Sequence, residues 1–441
     1  MGGSQVLVLG SACSKIGSGA TPRGGKEAYR GGATSLIRSQ NIYNEGFEHP
    51  GLVRIDDKQA AELGNVDVQV GDVLLNITGD SVARCCQVDP TVLPARVNQH
   101  VAIIRTLPEI LDARFLRYVL VSPALQARLM SLASAGATRS ALTKGMLEAL
   151  TITVPPVDEQ RAIAHVLGTL DDKIALSRRT NRTLESLGRT LFKSWFVDFD
   201  PVRAKAEGRQ PVGMGAETAK LFPHEFEEAQ LGPIPKGWAR SPLGAWVSAQ
   251  SGGTPSKSHP SFWGGDIPWI SPKVMTSIHA DEADDFVTPS AVGNGTRIAP
   301  RGSTLVMVRG MGLHQEVRVS QARWDVTFNQ DVKALVPKAI EPSLLLFALL
   351  DGQQELLGRV ESSGHGTGKL PSEILLGHPI AMPPPGIQKQ LAAFFDALND
   401  RIGAVRAESR TLTKLRDGLL PRLLSGQLVI PETTGVAGAR A

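Results

Sequence analysis

The sequence of 441 residues contains one ordered series of short motifs twice. Matching segments are SGATP at 18–22 and SGGTP at 251–255, NQH at 98–100 and NQD at 329–331, DDKI at 171–174 and NDRI at 399–402. The offset between matches decreases only slowly along the chain, from 233 to 228 positions. One match of this length would be chance, whereas an ordered series indicates a tandem duplication of a unit of about 230 residues. Because one hydrophobic core rarely exceeds about 250–300 residues, we expect two similar bodies rather than one.

Each copy begins with short apolar runs separated by turns that are rich in Gly, Pro, Asn and Asp. Residues 72–77 and 303–308 are typical of strands. Residues 114–132 and 343–357 are typical of helices. The sequence therefore predicts an α/β fold class, with one globular domain in each copy.

Each copy ends in a long amphipathic helix. Its apolar residues recur at alternating spacings of about four and three, which is the period of a coiled-coil seam. The predicted seam residues are Ile163, Leu167, Leu170, Ile174, Asn181, Leu184 and Leu191 in the first helix, and Leu391, Phe395, Leu398, Ile402, Ser409, Leu412 and Leu419 in the second. Asn181 and Ser409 are polar interruptions at equivalent positions. Two independent helices, each packed on its own domain, are the alternative, but the matched length and the matched interruption favour pairing.

The domain boundaries follow from these patterns. The predicted order is a first globular domain at 1–154, a helix at 155–200, a linker at 201–235, a second globular domain at 236–382, a second helix at 383–426 and a flexible tail at 427–441.

Composition excludes several classes of protein. There are 47 Lys and Arg against 43 Asp and Glu, so the net charge is only +4. This excludes a compact, strongly basic nucleic-acid binder, and any basic surface must be local. The three cysteines, Cys13, Cys85 and Cys86, have neither disulfide-framework nor zinc spacing. The longest apolar run, residues 344–350, is too short to cross a bilayer, and the N-terminus is unlike a signal peptide. We expect a cytoplasmic protein with no membrane partner.

Motifs for catalysis and cofactor binding are incomplete or missing. The glycine-rich residues 17–19 do not complete a dinucleotide-binding fingerprint, and residues 363–370 lack the first glycine and the final Ser or Thr of a phosphate-binding loop. Asp200-Pro201-Val202 lacks the second proline and the aromatic residue of an amino-methyltransferase clamp. The nine histidines have no metal-ligand spacing. The sequence predicts no catalytic residue, no metal site and no cofactor bound by this chain.

The positive signals are for double-stranded DNA. A loop-rich stretch of the first copy concentrates basic residues, and it is followed by Gln and Asn, which can read base edges bidentately. The candidate DNA-binding residues are Lys15, Thr21, Arg23, Lys26, Arg30, Arg38, Gln40, Asn41 and Arg84 in the first copy, and Thr254, Ser256, Lys257, Trp263, Lys273, Arg309 and His314 in the second. A solvated basic loop is the alternative for each cluster, and Trp263 can equally be a core residue.

These residues resemble a known family, the DNA-specificity subunits of type I restriction-modification systems. The motifs that carry the resemblance are KIGSGATPRGG at 15–25, LIRSQNI at 36–42, GDVLLNITGDSVAR at 71–84, NQHV at 98–101, PPVDEQRAIAHVLGTLDDKI at 155–174, LFKSWFVDFDPV at 191–202, IPKGW at 234–238, PPPGIQKQLAAFFDALNDRI at 383–402 and LRDGLLPRLLSGQL at 415–428. They cover essentially the whole chain in order. The first copy lacks the IPKGW lead-in, so a shortened first strand or a misplaced start is expected there.

The resemblance implies a non-catalytic scaffold. Two target recognition domains would each read one half of a bipartite DNA sequence, and two helices would run antiparallel as a spacer that binds two methyltransferase subunits. Restriction subunits would join through these, and S-adenosylmethionine, ATP and magnesium would be bound by the partners. A specificity part with its own methyltransferase or nuclease activity, and a degenerate scaffold that no longer reads DNA, are the alternatives.

Overall fold

The computed structural model describes residues 3–22, 29, 31–134, 140–363 and 366–430. It divides into two compact units. The first unit comprises Met1–Leu176 and Ser409–Ala441, and the second comprises Ser177–Glu408. Each unit therefore contains one α/β body and a segment from each of the two long helices. Residues 431–441 of the predicted tail lie outside the described residues, and the predicted domain boundaries stay a prediction.

The first unit is built from short strands followed by helices. Its strands are β1 (Gln5–Val8), β2 (Cys13–Ser18), β3 (Thr34–Ile37), β4 (Ile42–Tyr43), β5 (Gly46–Phe47), β6 (Val53–Ile55), β7 (Asp67–Val68), β8 (Val73–Asn76), β9 (Cys85–Gln87), β10 (Ala95–Val97), β11 (Val101–Thr106) and β12 (Thr151–Val154). Its helices are α1 (Asp57–Glu62), α2 (Ala113–Val121), α3 (Pro123–Ser134), α4 (Lys144–Glu148) and the first part of α5 (Val157–Phe192).

Two four-stranded sheets form the body of the first unit. Their strand orders are β2-β11-β8-β9 and β6-β3-β10-β7, and β1 pairs separately with β12. The central strands β8 and β11 are apolar on both faces because each face meets a separate core. Leu75 and Ile104 belong to the core that also contains α2 and α5, whereas Leu74 and Ile103 belong to the core between the sheets.

The second unit adds a segment that precedes its sheets. Its strands are β13 (Phe226–Glu227), β14 (Ile234–Pro235), β15 (Ala239–Pro242), β16 (Val247–Ser251), β17 (Trp263–Ile270), β18 (His279–Ala280), β19 (Asp285–Val287), β20 (Ile298–Ala299), β21 (Thr304–Met307), β22 (Arg309–Gly310), β23 (Val319–Ala322), β24 (Val326–Phe328), β25 (Val332–Pro337), β26 (Glu361–Ser362), β27 (Gly368–Lys369) and β28 (Pro379–Met382). Its helices are α6 (Asp200–Ala206), α7 (Ala216–Ala219), α8 (Leu243–Trp246), α9 (Pro342–Asp351), α10 (Gln353–Leu357), α11 (Ser372–Gly377) and part of α12 (Pro385–Leu424).

The sheets of the second unit repeat those of the first. The order β16-β25-β21-β23 matches β2-β11-β8-β9, with β18 added at the edge, and β19-β17-β24-β20 matches β6-β3-β10-β7. The strand pair β15–β28 matches β1–β12. In both units the two central strands of the second sheet are parallel, and the other pairs of that sheet are antiparallel. The added strand β18 pairs with β23 in parallel. The predicted α/β class and the duplication are confirmed.

The two long helices begin in the same way. A Pro-Pro pair ends β12 and β28, and α5 and α12 start directly after it. In the first turn of α5 the buried Gln160 amide donates to the Pro155 carbonyl at 2.9 Å. Gln388 does the same for Pro383 at 2.9 Å in α12. This contact ties each helix start to the preceding strand.

The structure differs from the sequence expectation in two places. The helical stretches near residues 114–132 and 343–357 are each broken in two, because Ser122 and Gly352 interrupt them. The predicted linker at 201–235 contains α6, α7, β13 and β14, and its Phe222 is buried in the core of the second unit. Among the helices that the structure describes, none has the length and apolar character needed to span a membrane.

Candidate nucleic-acid interface

Four segments of the first unit meet at one end of its two sheets. The crossover turn, residues 98–100, connects β10 of one sheet to β11 of the other. Its backbone accepts a hydrogen bond from Gly19 at 3.1 Å and donates one to Ile37 at 3.1 Å. The His100 carbonyl accepts from the Ile77 amide at 2.9 Å. We call this meeting of the segments after β2, β3, β8 and β10 the loop cluster.

The second unit contains the same loop cluster, and two of its three backbone hydrogen bonds join repeat-equivalent residues. The third differs by one residue, because the Gly253 amide donates to the Phe328 carbonyl at 2.9 Å, whereas Gly252 and Asn329 are the equivalents of Gly19 and Asn98. The Asn329 amide donates to the Ile270 carbonyl at 3.0 Å. The Val308 amide donates to the Asp331 carbonyl at 2.8 Å. The duplicated motifs SGxTP and NQ therefore come together in space in both units, although about 76 residues separate them in the chain.

Glycine is required where the SGxTP segment crosses the turn. A Cβ atom on Gly19 would lie 1.7 Å from the Val97 carbonyl oxygen, and one on Gly252 would lie 2.3 Å from the Phe328 carbonyl oxygen. Neither distance is compatible with any side chain. The glycine therefore lets the following threonine approach the crossover turn directly.

A threonine and a glutamine side chain meet at the surface of each loop cluster. The Thr21 hydroxyl donates to the side-chain carbonyl of Gln99. The Thr254 hydroxyl donates to the side-chain carbonyl of Gln330 at 2.6 Å. All four residues are exposed. We call these contacts the Thr–Gln pairs. Sequence reasoning identified both threonines as candidates but missed both glutamines, although each lies in a motif that is repeated.

Two of the predicted arginines of the first unit are half-buried near the loop cluster. The Arg38 guanidinium donates to the Gly51 carbonyl at 2.6 Å and lies 5.5 Å from the centre of the Tyr29 ring. The Arg84 guanidinium lies 4.8 Å from the centre of the Tyr43 ring. A guanidinium over an aromatic ring is attracted to the face of the ring, which restrains the arginine side chain.

The other candidates of the first unit have different positions. Gln40 is exposed and donates to the Gly51 carbonyl at 3.3 Å. Asn41 is fully buried, and its amide donates to the Glu48 and Pro50 carbonyls, so it shapes the turn instead of facing solvent. Lys15 lies on β2 opposite Arg105, about 13 Å along the strand from Gly19 and so away from the loop cluster. Its ammonium donates to the Asn65 carbonyl at 2.7 Å. Burial and the neighbouring Arg105 lower its pKa. Arg23, Lys26 and Arg30 lie outside the described residues.

The candidates of the second unit divide into an SGxTP group and a β17 group. Ser256 and Lys257 are exposed directly after the SGGTP segment. Trp263 is half-buried, since its ring packs edge-on against Trp269 at 5.4 Å and its N–H donates to the Ser256 carbonyl at 3.3 Å. Lys273 is exposed after β17 and forms an ion pair with Asp284 at 2.6 Å.

Arg309 and His314 lie on the segment that follows β21. Arg309 is exposed on β22, which pairs with β27 through Lys369. His314 is exposed, and its Nε2 lies 3.1 Å from the Gly366 carbonyl oxygen. The Arg309 amide also donates to the Asp331 carbonyl at 3.3 Å, so Arg309 borders the loop cluster of the second unit.

The predicted seam residues are mostly buried, and each unit contains residues from both helices. In the first unit Ile163, Leu167 and Ile174 are buried, and Leu170 is half-buried. Ile163 and Leu167 belong to the same core as Leu420 and Leu423 of the second helix, and Leu419 packs against that core. In the second unit Leu184 and Leu191 pack against a core that contains Leu391, Phe395, Leu398 and Ile402. Asn181 is buried, and Ser409 and Leu412 are half-buried. In the second unit Gly188 lies against Leu398, and the later Phe192 packs against the earlier Phe395. Contacts that advance along one helix and retreat along the other show that the two helix segments run antiparallel there.

One position of each long helix anchors it to the α/β body. The Asp171 carboxylate of α5 accepts hydrogen bonds from Arg117 at 2.7 Å, Tyr118 at 2.6 Å and Arg416 at 2.8 Å. Burial alone would raise the pKa of Asp171, but Arg117 and the hydrogen bonds from Arg416 and Tyr118 hold it below its ordinary value. The repeat-equivalent Asn399 lies 2.6 Å from Nε2 of the buried His279 and donates to Gln321 at 2.7 Å. Sequence reasoning found the matching motifs but not these contacts.

The residues of the loop clusters suit DNA contact better than catalysis. They supply amides, hydroxyls and guanidinium groups, which bind base edges and phosphates. In the part of the chain that the structure describes, no group of three or more His, Cys, Asp or Glu side chains is arranged to hold a metal ion.

Comparison with known protein families identifies the fold that carries these clusters. The family model of the type I restriction modification DNA specificity domain matches residues 10–186 and again residues 235–413. The chain belongs to this family. The two matches coincide with the two copies of the repeat, and each contains one loop cluster and one Thr–Gln pair.

Curated relatives extend the likeness over most of the chain. The specificity subunit of the type I restriction enzyme HindI from Haemophilus influenzae is 27% identical over 444 residues, which covers 89% of this chain and 94% of the relative. The specificity subunit of the type I restriction enzyme MjaIX from Methanocaldococcus jannaschii is 26% identical and covers 68% of this chain and 65% of the relative.

A solved structure shares the fold. The S subunit of a type I restriction-modification system from M. genitalium aligns with a TM-score of 0.56 at 16% identity and covers 96% of each chain. At this identity the likeness concerns the fold alone.

Proposed function

We propose that this chain is the sequence-reading subunit of a type I restriction-modification complex. Each unit reads one half of a bipartite target in double-stranded DNA through its loop cluster. The observation that carries the proposal is the repetition of the same loop cluster, with the same Thr–Gln pair, in two units that belong to a DNA-specificity family.

The loop clusters provide the DNA contacts in this proposal. The contacting residues are Thr21, Arg38, Gln40 and Arg84 in the first unit, and Thr254, Ser256, Lys257, Trp263, Lys273, Arg309 and His314 in the second, together with Arg23, Lys26 and Arg30 from the sequence pattern. Arginines and lysines contact phosphates and guanines, while amides and hydroxyls contact other base edges. Lys15 and Asn41 are not included because their polar atoms are used inside the unit.

The chain itself has no catalytic role in this proposal. Two methyltransferase subunits bind the long helices, and restriction subunits join through them. S-adenosylmethionine, ATP and magnesium belong to these partners. Since the net charge is only +4, the nonspecific attraction of this chain to DNA phosphates is modest. The partner subunits therefore supply much of the affinity of the complex for DNA. The complex works in the cytoplasm, where the DNA to be read is present.

A domain exchange tests the proposal. The chain is produced with its cognate methyltransferase subunit, and the methylated sites of the host DNA are identified by single-molecule sequencing. We expect one split motif. Replacing residues 10–150 by those of a relative should change one half of that motif and leave the other half unchanged. Methylation by the isolated chain, or a motif that changes in both halves, would contradict the proposal.

A further inference from the structure

We propose that Gln99 and Gln330 each read an adenine in the major groove, one in each half of the target, and that Thr21 and Thr254 orient the two amides for this contact. The inference rests on the function proposed above and adds the residues and the base that they recognise.

The turn that carries each glutamine is held in one conformation by a buried asparagine side chain. Asn98 is buried, and its side-chain oxygen accepts the backbone N–H of His100 at 3.1 Å. Asn329 is buried in the same way and accepts the backbone N–H of Asp331 at 3.1 Å. Such a local side-chain cap holds a turn in one conformation. The glutamine between the capped residues therefore projects into solvent from a rigid base.

The threonine contact determines the orientation of each glutamine side-chain amide, because the amide oxygen must face the threonine hydroxyl. A hydroxyl that donates to the glutamine oxygen uses one of its two lone pairs. In the first unit the Gln99 nitrogen lies 2.9 Å from Nε2 of His100, whose Nδ1 lies 2.6 Å from the Thr78 hydroxyl. Gln99 then has one N–H and one lone pair left for a ligand.

One donor and one acceptor on the same amide match the major-groove edge of adenine. Adenine offers N7 as an acceptor and its N6 amino group as a donor, and glutamine binds both at once. Gln330 presents the same oxygen lone pair and amide N–H groups, with Thr254 bound to the oxygen at 2.6 Å. Because both amides are oriented before DNA binds, little side-chain entropy is lost on contact.

The surroundings of the two pairs differ while the pairs themselves do not. Gln40 of the first unit corresponds to Lys273 of the second, and Thr78 corresponds to Arg309. Because the Thr–Gln pair is the same in both units while the residues around it differ, we expect the two half-sites to share one base and to differ at the flanking positions. In each unit a backbone hydrogen bond from Gly19 or Gly253 already holds the SGxTP segment against the crossover turn. The exposed Thr–Gln pairs are therefore not needed to join these two segments.

The test uses the full chain assembled with its methyltransferase subunits. Random DNA is selected for binding to give the wild-type target, and every single base-pair change in that target is then measured by equilibrium competition. We expect Gln99→Ala to lose about 5- to 100-fold discrimination for adenine at one position of one half-site. Gln330→Ala should do the same in the other half-site, and each variant should leave the opposite half unchanged.

Conservative threonine variants separate positioning from structure. Thr21→Ser retains the hydroxyl and should keep adenine discrimination, whereas Thr21→Val should reduce it at the position that Gln99→Ala affects. Thr254→Ser and Thr254→Val form the matched pair for the second unit. A structural role alone would change stability without this shift in base preference.

Four results would overturn the inference. Weaker binding to all sequences alike would indicate a phosphate contact, and unchanged binding would indicate a tether. If Gln99→Ala or Gln330→Ala weakened the preference for a base other than adenine, the proposed base would be wrong. A wild-type complex that selects no bipartite sequence would refute the proposed function itself, and the inference with it.

Discussion

The two units solve the same structural problem with different chemistry. At repeat-equivalent positions Asp171 anchors α5 through a charged network, and Asn399 anchors α12 through a neutral one. In the first unit Arg117 is buried and depends on the carboxylate. In the second unit His279 is buried and uncharged, since burial lowers its pKa to about 4. The duplication therefore preserved the location of the anchor while its electrostatics diverged.

The unfolding of the two units can be followed separately. All six tryptophans lie between residues 195 and 324, in the second unit, and the three tyrosines Tyr29, Tyr43 and Tyr118 lie in the first. Tryptophan fluorescence therefore reports on the second unit alone. Hydrogen exchange of peptides from residues 31–134 reports on the first.

The largest effect is expected when the charged anchor is broken. Asp171→Ala leaves the Arg117 guanidinium buried without its carboxylate and should lower the free energy of unfolding of the first unit by about 3–5 kcal/mol. Asp172→Ala is the matched control, because its ion pair with Arg114 is exposed and should contribute less than about 1 kcal/mol. Equal losses in the two variants, measured by hydrogen exchange against urea concentration, would contradict the role of Asp171. Tryptophan fluorescence should change little.

A smaller effect is expected from a change that tests a feature common to both units. Gly19→Ala places a Cβ against the Val97 carbonyl oxygen and should destabilise the first unit by about 1–3 kcal/mol. Gly17→Ala is the control two residues earlier, where no atom lies within 4 Å of the new Cβ. Gly252→Ala should have the same effect on the second unit, detected by tryptophan fluorescence in urea. If Gly19→Ala and Gly17→Ala behaved alike, close approach at the crossover turn would not matter.

The smallest effect distinguishes the two anchors by pH. The folded-state pKa of His279, about 4, lies below its ordinary value of 6.5, so the unfolded chain binds the proton more strongly. The second unit should keep its full stability well above pH 6.5 and lose about 1.4 kcal/mol by pH 5.5, with further loss down to about pH 4. Asp281, Arg323 and Arg406 are the charged groups beside the ring.

The same titration should leave the anchor of the first unit unchanged. The pKa of Asp171 lies below its ordinary value of 3.8, so its contribution is present above that pH and is lost only as the pH falls through the lower folded-state pKa. His279→Gln should remove the component near pH 6 from the tryptophan-monitored unfolding. Persistence of that component in the variant would show that another group is responsible.

Part of the candidate site could be predicted from the sequence and part could not. Thr21 and Thr254 were found because their motif recurs, Arg38 because basic residues cluster around it, and Arg84 because it follows the predicted strand and turn at 72–81. Gln99 and Gln330 were missed although they lie in the repeated NQ motif, because only the fold places them against the two threonines. Asn41 was predicted to contact bases, but only the fold shows that its amide is buried and bonded within the turn.

The sequence by itself determined the duplication, the α/β class, the two long helices and the family, because periodicity and repeated motifs are local properties of the chain. Only the tertiary structure decided which side chains meet. The Thr21–Gln99 contact joins residues 78 positions apart, and Asp171 meets Arg416 across 245 positions. Such contacts depend on sheet order and helix packing, in which many weak interactions along the whole chain act together.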